Sequence, residues 1–150
     1  MCDHPGRPVE DYLAEVQAKM LANGWAVQYV TDRRPFAYTV GLSRCGLPEL
    51  LLTGAEPVRA LRLLNSVARM AMTGDPPTHG MRITPPDGPA VEMVEVNHPE
   101  AHLKCAVAIL GAVSALQVVW ADERGRWPWA PDFDDGRGSQ PVLGVRAVCN

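Results

Sequence analysis

Hydrophobic and polar positions follow two periods along the chain, and together they predict three helices and six strands. A spacing of three to four residues between apolar side chains is typical of helices. Short runs rich in β-branched and aromatic residues favour strands. The helical pattern covers residues 9–22, 57–72 and 99–110. The strand pattern covers residues 25–30, 36–42, 49–53, 81–84, 90–96 and 114–120.

The order of these elements, α-βββ-α-ββ-α-β, indicates the fold class. Helices and strands do not alternate regularly, so an α+β domain is favoured over a doubly wound sheet. The first three strands favour an antiparallel meander, and the turn sequence Pro85–Gly88 favours a hairpin. We expect one domain over 1–150 with a largely antiparallel sheet, about three helices, a flexible N-terminus at 1–7 and a long ordered loop after Asp122.

Local signals place the starts and faces of the helices. Pro57 and Pro99 can each occupy a first helical position, with Asn97 or His98 as the cap of the third helix. The apolar face of the second helix is expected to consist of Val58, Leu61, Leu64, Ala68 and Met72. Its outward arginines are expected to be Arg59, Arg62 and Arg69.

Composition and charge exclude several classes of function. Hydrophobic residues make up 47% of the 150 residues and charged residues 21%, which is ordinary for a globular domain. The net charge of -3 gives no general attraction to nucleic acid. No signal-peptide pattern is visible, and the apolar run at 105–113 is far short of the ~20 residues that span a bilayer. We therefore expect a cytoplasmic protein without a membrane partner.

One pattern of histidines and cysteines permits a metal interpretation. His98, His102 and Cys105 form H-x3-H-x2-C, which on a helix could bring zinc ligands to one face. Helix capping by His98 and burial of the Cys105 thiol explain these residues without metal. A structural zinc site here, or at Cys2 and His4, is therefore the less favoured alternative. All four cysteines are expected to be free thiols in a reducing compartment.

Polar side chains inside predicted strands are candidate binding residues. Tyr38 and Thr39 lie in one strand, Glu49 opens the next, and Gln117 interrupts the last. Strand alternation puts Tyr38 and Thr39 on opposite faces of the sheet. Glu49 and Gln117 either line a pocket or hydrogen-bond to irregular backbone under the C-terminal loop.

The C-terminal loop concentrates aromatic residues and arginines. Arg126 precedes Trp127 and Trp129 closely enough to stack on either ring. In one interpretation these side chains form a recognition surface. In the other, which we favour, buried tryptophan anchors irregular chain against the sheet. The candidate binding residues of this segment are Trp120, Asp122, Arg126, Trp127, Trp129, Arg137 and Gln140.

Five ordered motifs resemble a bacterial domain-of-unknown-function family, numbered 4262. They are GWAVQYV, FAYTVGL, GLPELLLTG, ALQVVWADERGRWPW and QPVLG, and they run from Gly24 to Gly144. The resemblance implies a bacterial or phage-borne protein with one compact domain that includes the tryptophan-rich segment. Members of the family often begin with Cys-x-x-Cys, whereas this chain has Cys2 alone. That departure weakens any metal or redox role taken from the family.

These features favour a small cytoplasmic protein that binds a ligand or a protein partner without catalytic machinery of its own. The expected surface joins strand 36–42, the loop at 46–50 and the segment 120–129. Its arginines and aromatic rings suit an anionic or planar ligand, or a protein hot spot. The alternative is a cofactor-dependent enzyme that holds a flavin or a nucleotide in an Arg- and Trp-lined cleft. The sequence identifies neither the ligand nor a cofactor.

Overall fold

A single mixed sheet organises the part of the chain that the computed structural model describes, which is residues 9–86, 88–136 and 138–147. Its strand order is β1-β2-β3-β6-β5-β4. The strands are Ala26–Val30 (β1), Phe36–Val40 (β2), Glu49–Thr53 (β3), Arg82–Ile83 (β4), Val91–Glu95 (β5) and Ala115–Trp120 (β6). The α-helices are Val9–Asn23 (α1), Pro57–Thr73 (α2) and Lys104–Leu110 (α3). Short 3-10 helices lie at Leu42–Cys45, Pro99–Ala101 and Phe133–Gly136.

Neighbouring strands pair antiparallel everywhere except at the centre of the sheet. β1, β2 and β3 form the predicted meander, and β4, β5 and β6 form a second antiparallel unit. The parallel pairing of β3 with β6 joins the two units, with Leu51 opposite Gln117. The predicted α+β class, the order of elements and the largely antiparallel sheet are therefore confirmed.

The two faces of the sheet are covered by different helices. α2 packs on one face, where its Leu64 and Val67 share a core with Leu52 and Val118. α1 and α3 pack on the other face, around Tyr38 and its neighbours. Because side chains alternate along each strand, Leu50 and Leu52 of β3 face α2, while Leu51 faces α1 and α3. No helix in the described part of the chain is long and apolar enough to cross a membrane.

The buried face of α2 differs from the predicted one. Its buried residues are Ala60, Leu63, Leu64, Val67, Ala68 and Ala71. Of the predicted face, Leu64 and Ala68 are buried, but Val58, Leu61 and Met72 are 55%, 46% and 40% exposed. These buried residues follow three- and four-residue spacing. They include small alanines, which allow α2 to approach the sheet closely. The larger apolar residues therefore lie on the flanks, and that part of the prediction is wrong.

The third predicted helix is broken into two pieces. A 3-10 turn covers Pro99–Ala101, and α3 begins only at Lys104. His98 occupies the position before the 3-10 turn with a left-handed φ of 53° and makes no capping hydrogen bond through its side chain. The prediction of one helix over 99–110, capped by Asn97 or His98, is therefore wrong in its boundaries and its cap.

Residues 138–147, which we call the C-terminal strap, cross the face of the sheet opposite α2. The strap passes so close to β3 and β5 that two positions require glycine. A Cβ on Gly54, where φ is +79°, would clash with the Ser139 carbonyl oxygen, and a Cβ on Gly144 would clash with the Glu95 carbonyl oxygen. The predicted ordered C-terminal loop is therefore a closely packed cover, within the residues that the structure describes.

The position of the α2 face can be tested by truncation. Leu64→Ala should lower the free energy of unfolding by about 2–5 kcal/mol, because Leu64 is fully buried and its removal leaves a cavity. Leu61→Ala, the matched control, should change it by under ~1 kcal/mol, since Leu61 is 46% exposed. Urea unfolding followed by circular dichroism measures both values. Equal losses would contradict the observed face.

Candidate functional site

Glu49 anchors the turn that follows β2. Its buried carboxylate accepts hydrogen bonds from the backbone N–H groups of Gly41, Leu42 and Ser43 at 3.0–3.1 Å. The hydroxyls of Thr39 and Ser43 donate two more, each at 2.8 Å. Thr39 in turn accepts the N–H of Leu50 at 2.8 Å. Glu49 therefore bonds irregular backbone, as one interpretation expected, but at the turn after β2 and not under the C-terminal loop.

Tyr38 is also buried within the fold. It lies on the face opposite Thr39, as alternation predicts, and its hydroxyl accepts the backbone N–H of Cys105 at 2.9 Å. Burial raises the pKa of Tyr38 to about 12, against the smaller opposing effect of that hydrogen bond. The ring is fully shielded from solvent and therefore has no surface for a ligand.

Two glutamines hold the C-terminal strap against the sheet. The Gln117 side chain donates to the Pro141 carbonyl and accepts the Leu143 N–H, both at 2.7 Å. The Gln140 side chain pairs with both backbone groups of Trp120 at 2.9 Å. The side-chain amide of Gln140 thus makes the two hydrogen bonds that a neighbouring strand would make with the end of β6. Both glutamines are buried and fully used by the fold.

Asp122 and Arg126 close the loop after β6. The Asp122 carboxylate accepts the N–H groups of Arg124, Arg126 and Asp134 at 2.7–2.9 Å and the Arg126 side chain at 2.8 Å. Arg126 also pairs with Asp132 and Asp135. Burial pushes the pKa of Asp122 up, but the three N–H donors and the guanidinium outweigh it and lower the pKa to about 2.

Trp127 and Trp129 form a stacked pair near the outer strands. Their ring centroids are 5.4 Å apart and their planes differ by 4°. Arg82 lies over Trp127 at 4.6 Å and Arg146 over Trp129 at 3.6 Å. Both guanidiniums bond the buried carboxylate of Glu92, at 2.8 Å for each Nε. Burial opposes ionisation of Glu92, but Arg146 and Arg82 outweigh it and hold its pKa below the ordinary value.

Two expectations about this segment are wrong. Arg126 bonds carboxylates, whereas Arg82 and Arg146 occupy the stacking positions on the tryptophans. Trp129 is 37% exposed, so it is not a buried anchor, while Trp120 is 5% exposed and packs on Phe133 with centroids 5.5 Å apart. The sequence missed the stacking arginines because they are distant along the chain from both rings.

The proposed zinc ligands do not form a cluster in the structure. His98 is exposed beside Glu100, and His102 lies edge-on to Phe36, where burial lowers its pKa. Cys105 is disulfide-bonded, so the expectation of a free thiol is wrong for this residue, because sequence spacing does not reveal spatial neighbours. Cys45 is a free thiol, as expected. Among described residues, no group of three or more His, Cys, Asp or Glu side chains could hold a metal ion.

Some candidates lie outside the described residues. These are the N-terminus at 1–7 with Cys2 and His4, then Arg137, and Cys149. The described candidates separate into a buried set that the fold uses internally and a partly exposed set around the tryptophan pair. They do not form the continuous surface expected from strand 36–42, loop 46–50 and segment 120–129.

A large open groove lies instead beside α2. We call it the α2–loop groove; its volume is about 1080 Å³, and loop residues Gly88, Pro89, Asp122 and Glu123 form one wall. The α2 wall carries Glu56, Val58, Arg59, Leu61, Arg62, Leu63, Asn65, Ser66 and Arg69. Apart from Asp122, no residue of this groove was a predicted site residue, although the exposed arginines were visible in the helical pattern.

A second groove, the β1–α2 groove, adjoins the first along the α2 residues Leu61, Asn65 and Arg69. Its volume is about 560 Å³. The opposite wall consists of Lys19, Asn23, Trp25, Ala26 and Val27. Trp25 Nε1 donates to Asn65 Oδ1 at 2.9 Å, so a hydrogen bond ties the two walls together.

Acid titration tests the role of Asp122. The folded pKa of about 2 lies below the unfolded value of about 3.9, so ionised Asp122 stabilises the fold above about pH 4. That stabilisation is lost as pH falls through about 2. Asp122→Asn should therefore be less stable than wild type near pH 7, with a difference that closes between about pH 4 and 2. Urea unfolding at each pH measures this, and a difference that stays constant from pH 7 to pH 2 would contradict the role of Asp122.

Truncation tests how far the tryptophan pair stabilises the fold. Trp120→Ala should cost about 3–5 kcal/mol, as for a buried aromatic residue. Trp127→Ala should cost less, about 2 kcal/mol, since the ring is only partly buried and loses one stack and one cation–π contact. Thermal and urea unfolding compare the two variants. A larger loss for Trp127→Ala would identify the stacked pair as the principal anchor.

The comparison with known protein families agrees with the resemblance drawn from the motifs, four of which lie within the matched residues. The family model described as Domain of unknown function (DUF4262) matches residues 19–134. The matched span contains the whole sheet, α2 and both grooves, and it ends before the C-terminal strap. No curated protein and no solved structure matches the chain. Because the family model covers well over half of the sequence, the chain belongs to the family Domain of unknown function (DUF4262).

Proposed function

We propose that this chain is a binding domain without catalytic machinery, and that α2 holds an acidic segment of a partner protein. The single observation that carries the proposal is the surface of α2 in the α2–loop groove. There, Arg62 and Arg69 project beside the exposed apolar side chain of Leu61. Arginine beside apolar surface is the composition typical of protein hot spots.

Arg62 and Arg69 differ in their ion pairs from the arginines that stabilise the fold. Arg82, Arg126 and Arg146 each bond a buried carboxylate. Within the described residues, Arg62 and Arg69 form no ion pair, although both line an open groove. A guanidinium that is not paired within the fold can pair with a partner's carboxylate in two-point geometry.

The amino end of α2 argues against a small phosphate as the ligand. Glu56 caps the helix, and its carboxylate accepts the N–H groups of Val58 and Arg59 at 3.0 and 2.7 Å. A phosphate would have to compete with this resident anion for the same donors. The groove is also large, at about 1080 Å³, and Val58 in its lining is 55% exposed. An acidic chain with some apolar residues suits this surface better than a compact anion.

Charge reversal on α2 tests the proposal. The probe is a synthetic nine-residue peptide that alternates Val with Glu, titrated into the full chain by calorimetry at low salt. Arg62→Glu/Arg69→Glu should weaken binding at least tenfold, because attraction becomes repulsion. Raising the salt concentration should weaken wild-type binding, since exposed charges are screened.

The matched control is Arg44→Glu/Lys104→Glu, which makes the same change in net charge at exposed residues outside both grooves. It should leave the affinity within about twofold of wild type. Equal weakening by both double variants would show that the affinity depends only on net charge, and it would contradict the proposal. Displacement of the peptide by an equal concentration of inorganic phosphate would also contradict it.

A further inference from the structure

The two edges of the sheet are protected unequally. β4 is an edge of only two residues, and its Arg82 is bonded to Glu92. Shortness and charge are the usual protection of an edge against another strand. β1, the opposite edge, has five residues, AVQYV, with no charge and no proline. Within the described chain, β1 therefore presents a longer, uncharged edge that lacks the protection of β4, with one long contact of 3.4 Å from the Gln28 side chain to the Val27 carbonyl oxygen.

The unprotected edge lies beside a groove. The β1–α2 groove is bounded on one side by Ala26 and Val27 of β1 and on the other by Leu61 and Arg69 of α2. An edge strand facing a helix across a groove is the arrangement in which an extended peptide adds to a sheet. Main-chain hydrogen bonds then supply affinity, while alternate side chains occupy the groove.

We propose that the acidic partner segment binds as an added strand on the free edge of β1, with alternate side chains in the β1–α2 groove. This inference rests on the proposed function, and it specifies the conformation and the place of the bound segment. Acidic side chains on the groove side of the added strand pair with Arg69 and Lys19, which line the groove. The alternate apolar side chains lie on the opposite face of the strand.

The charges that line the groove favour an acidic segment over a second copy of the chain. The residues that line the β1–α2 groove include Lys19 and Arg69 and no acidic side chain. Lys19 lies 3.6 Å from Glu15, and both side chains are well exposed, so Lys19 remains accessible to a partner's carboxylate. Pairing β1 with β1 of a second copy would bring these cations towards each other, which is unfavourable.

The test uses the Val/Glu peptide and two methylated forms of it. In an added strand, N–H groups alternate between the edge that faces β1 and the edge that faces solvent. One form is N-methylated on its odd residues and the other on its even residues, so side chains and charges are the same in both. We expect one methylated form to bind the full chain at least tenfold more weakly than the parent, and the other within about threefold.

Hydrogen exchange supplies a second measurement on the protein itself. Peptide binding should slow exchange at least fivefold at the alternate β1 amides that point away from β2, while the amides of β4 at Arg82–Ile83 should be unaffected. Similar affinities for both methylated forms and unchanged exchange in β1 would overturn strand addition and leave the acidic-binding proposal intact. Failure of the unmethylated peptide to bind would overturn both proposals.

Analytical ultracentrifugation distinguishes the remaining occupant. The free chain should sediment as a monomer and should form a one-to-one complex with the peptide. A dimer of the free chain whose β1 amides are already protected, and which the peptide does not dissociate, would assign the edge of β1 to a second copy and overturn the inference.

Discussion

The sheet depends on the parallel pairing of β3 with β6, because among the strand pairings of the described residues it alone connects the two antiparallel units. Polar side chains stabilise it from inside. Glu49 at one end secures the turn that leads into β3, and Gln117 in the middle connects Thr53 to the strap. Each of these groups is buried and completely hydrogen-bonded, and removal of one partner would leave another buried and unpaired. The pairing therefore tolerates little change in its polar residues.

The same pairing explains why the open surface lies at α2. The connection that leaves β3 leads directly into α2, so the outer flank of this helix lies beside the loop that leaves β6. The face of the sheet opposite α2 is filled by α1, α3 and the strap. The fold thus uses Arg82, Arg126 and Arg146 to attach the outer strands and loops, and leaves Arg62 and Arg69 at the side that nothing in the described chain covers.

Sequence patterns predicted the helices and strands because the signals for them are local. They did not predict which residues that are distant in sequence would be in contact. Spacing and turn residues located β3 and the starts of α1 and α2 correctly. The face of α2 was misplaced because large apolar residues were preferred over Ala60 and Ala71, although close packing favours small residues at the contact. Arg126 was placed on the tryptophans because it is adjacent in sequence, whereas Arg82 and Arg146 reach them through strand pairing and the strap. The α2–loop groove was missed because it forms between elements distant in sequence.

The strap also determines when the domain can finish folding. The hydroxyl of Thr53 donates to the carbonyl of Pro141, a partner 88 residues away along the chain. Until synthesis passes residue 143, the polar groups of Thr53 and Gln117 must remain hydrated at the centre of an incomplete sheet. Contacts of such sequence separation carry a large loop-closure cost and slow folding. The last native contacts of this domain therefore form after its helices and hairpins.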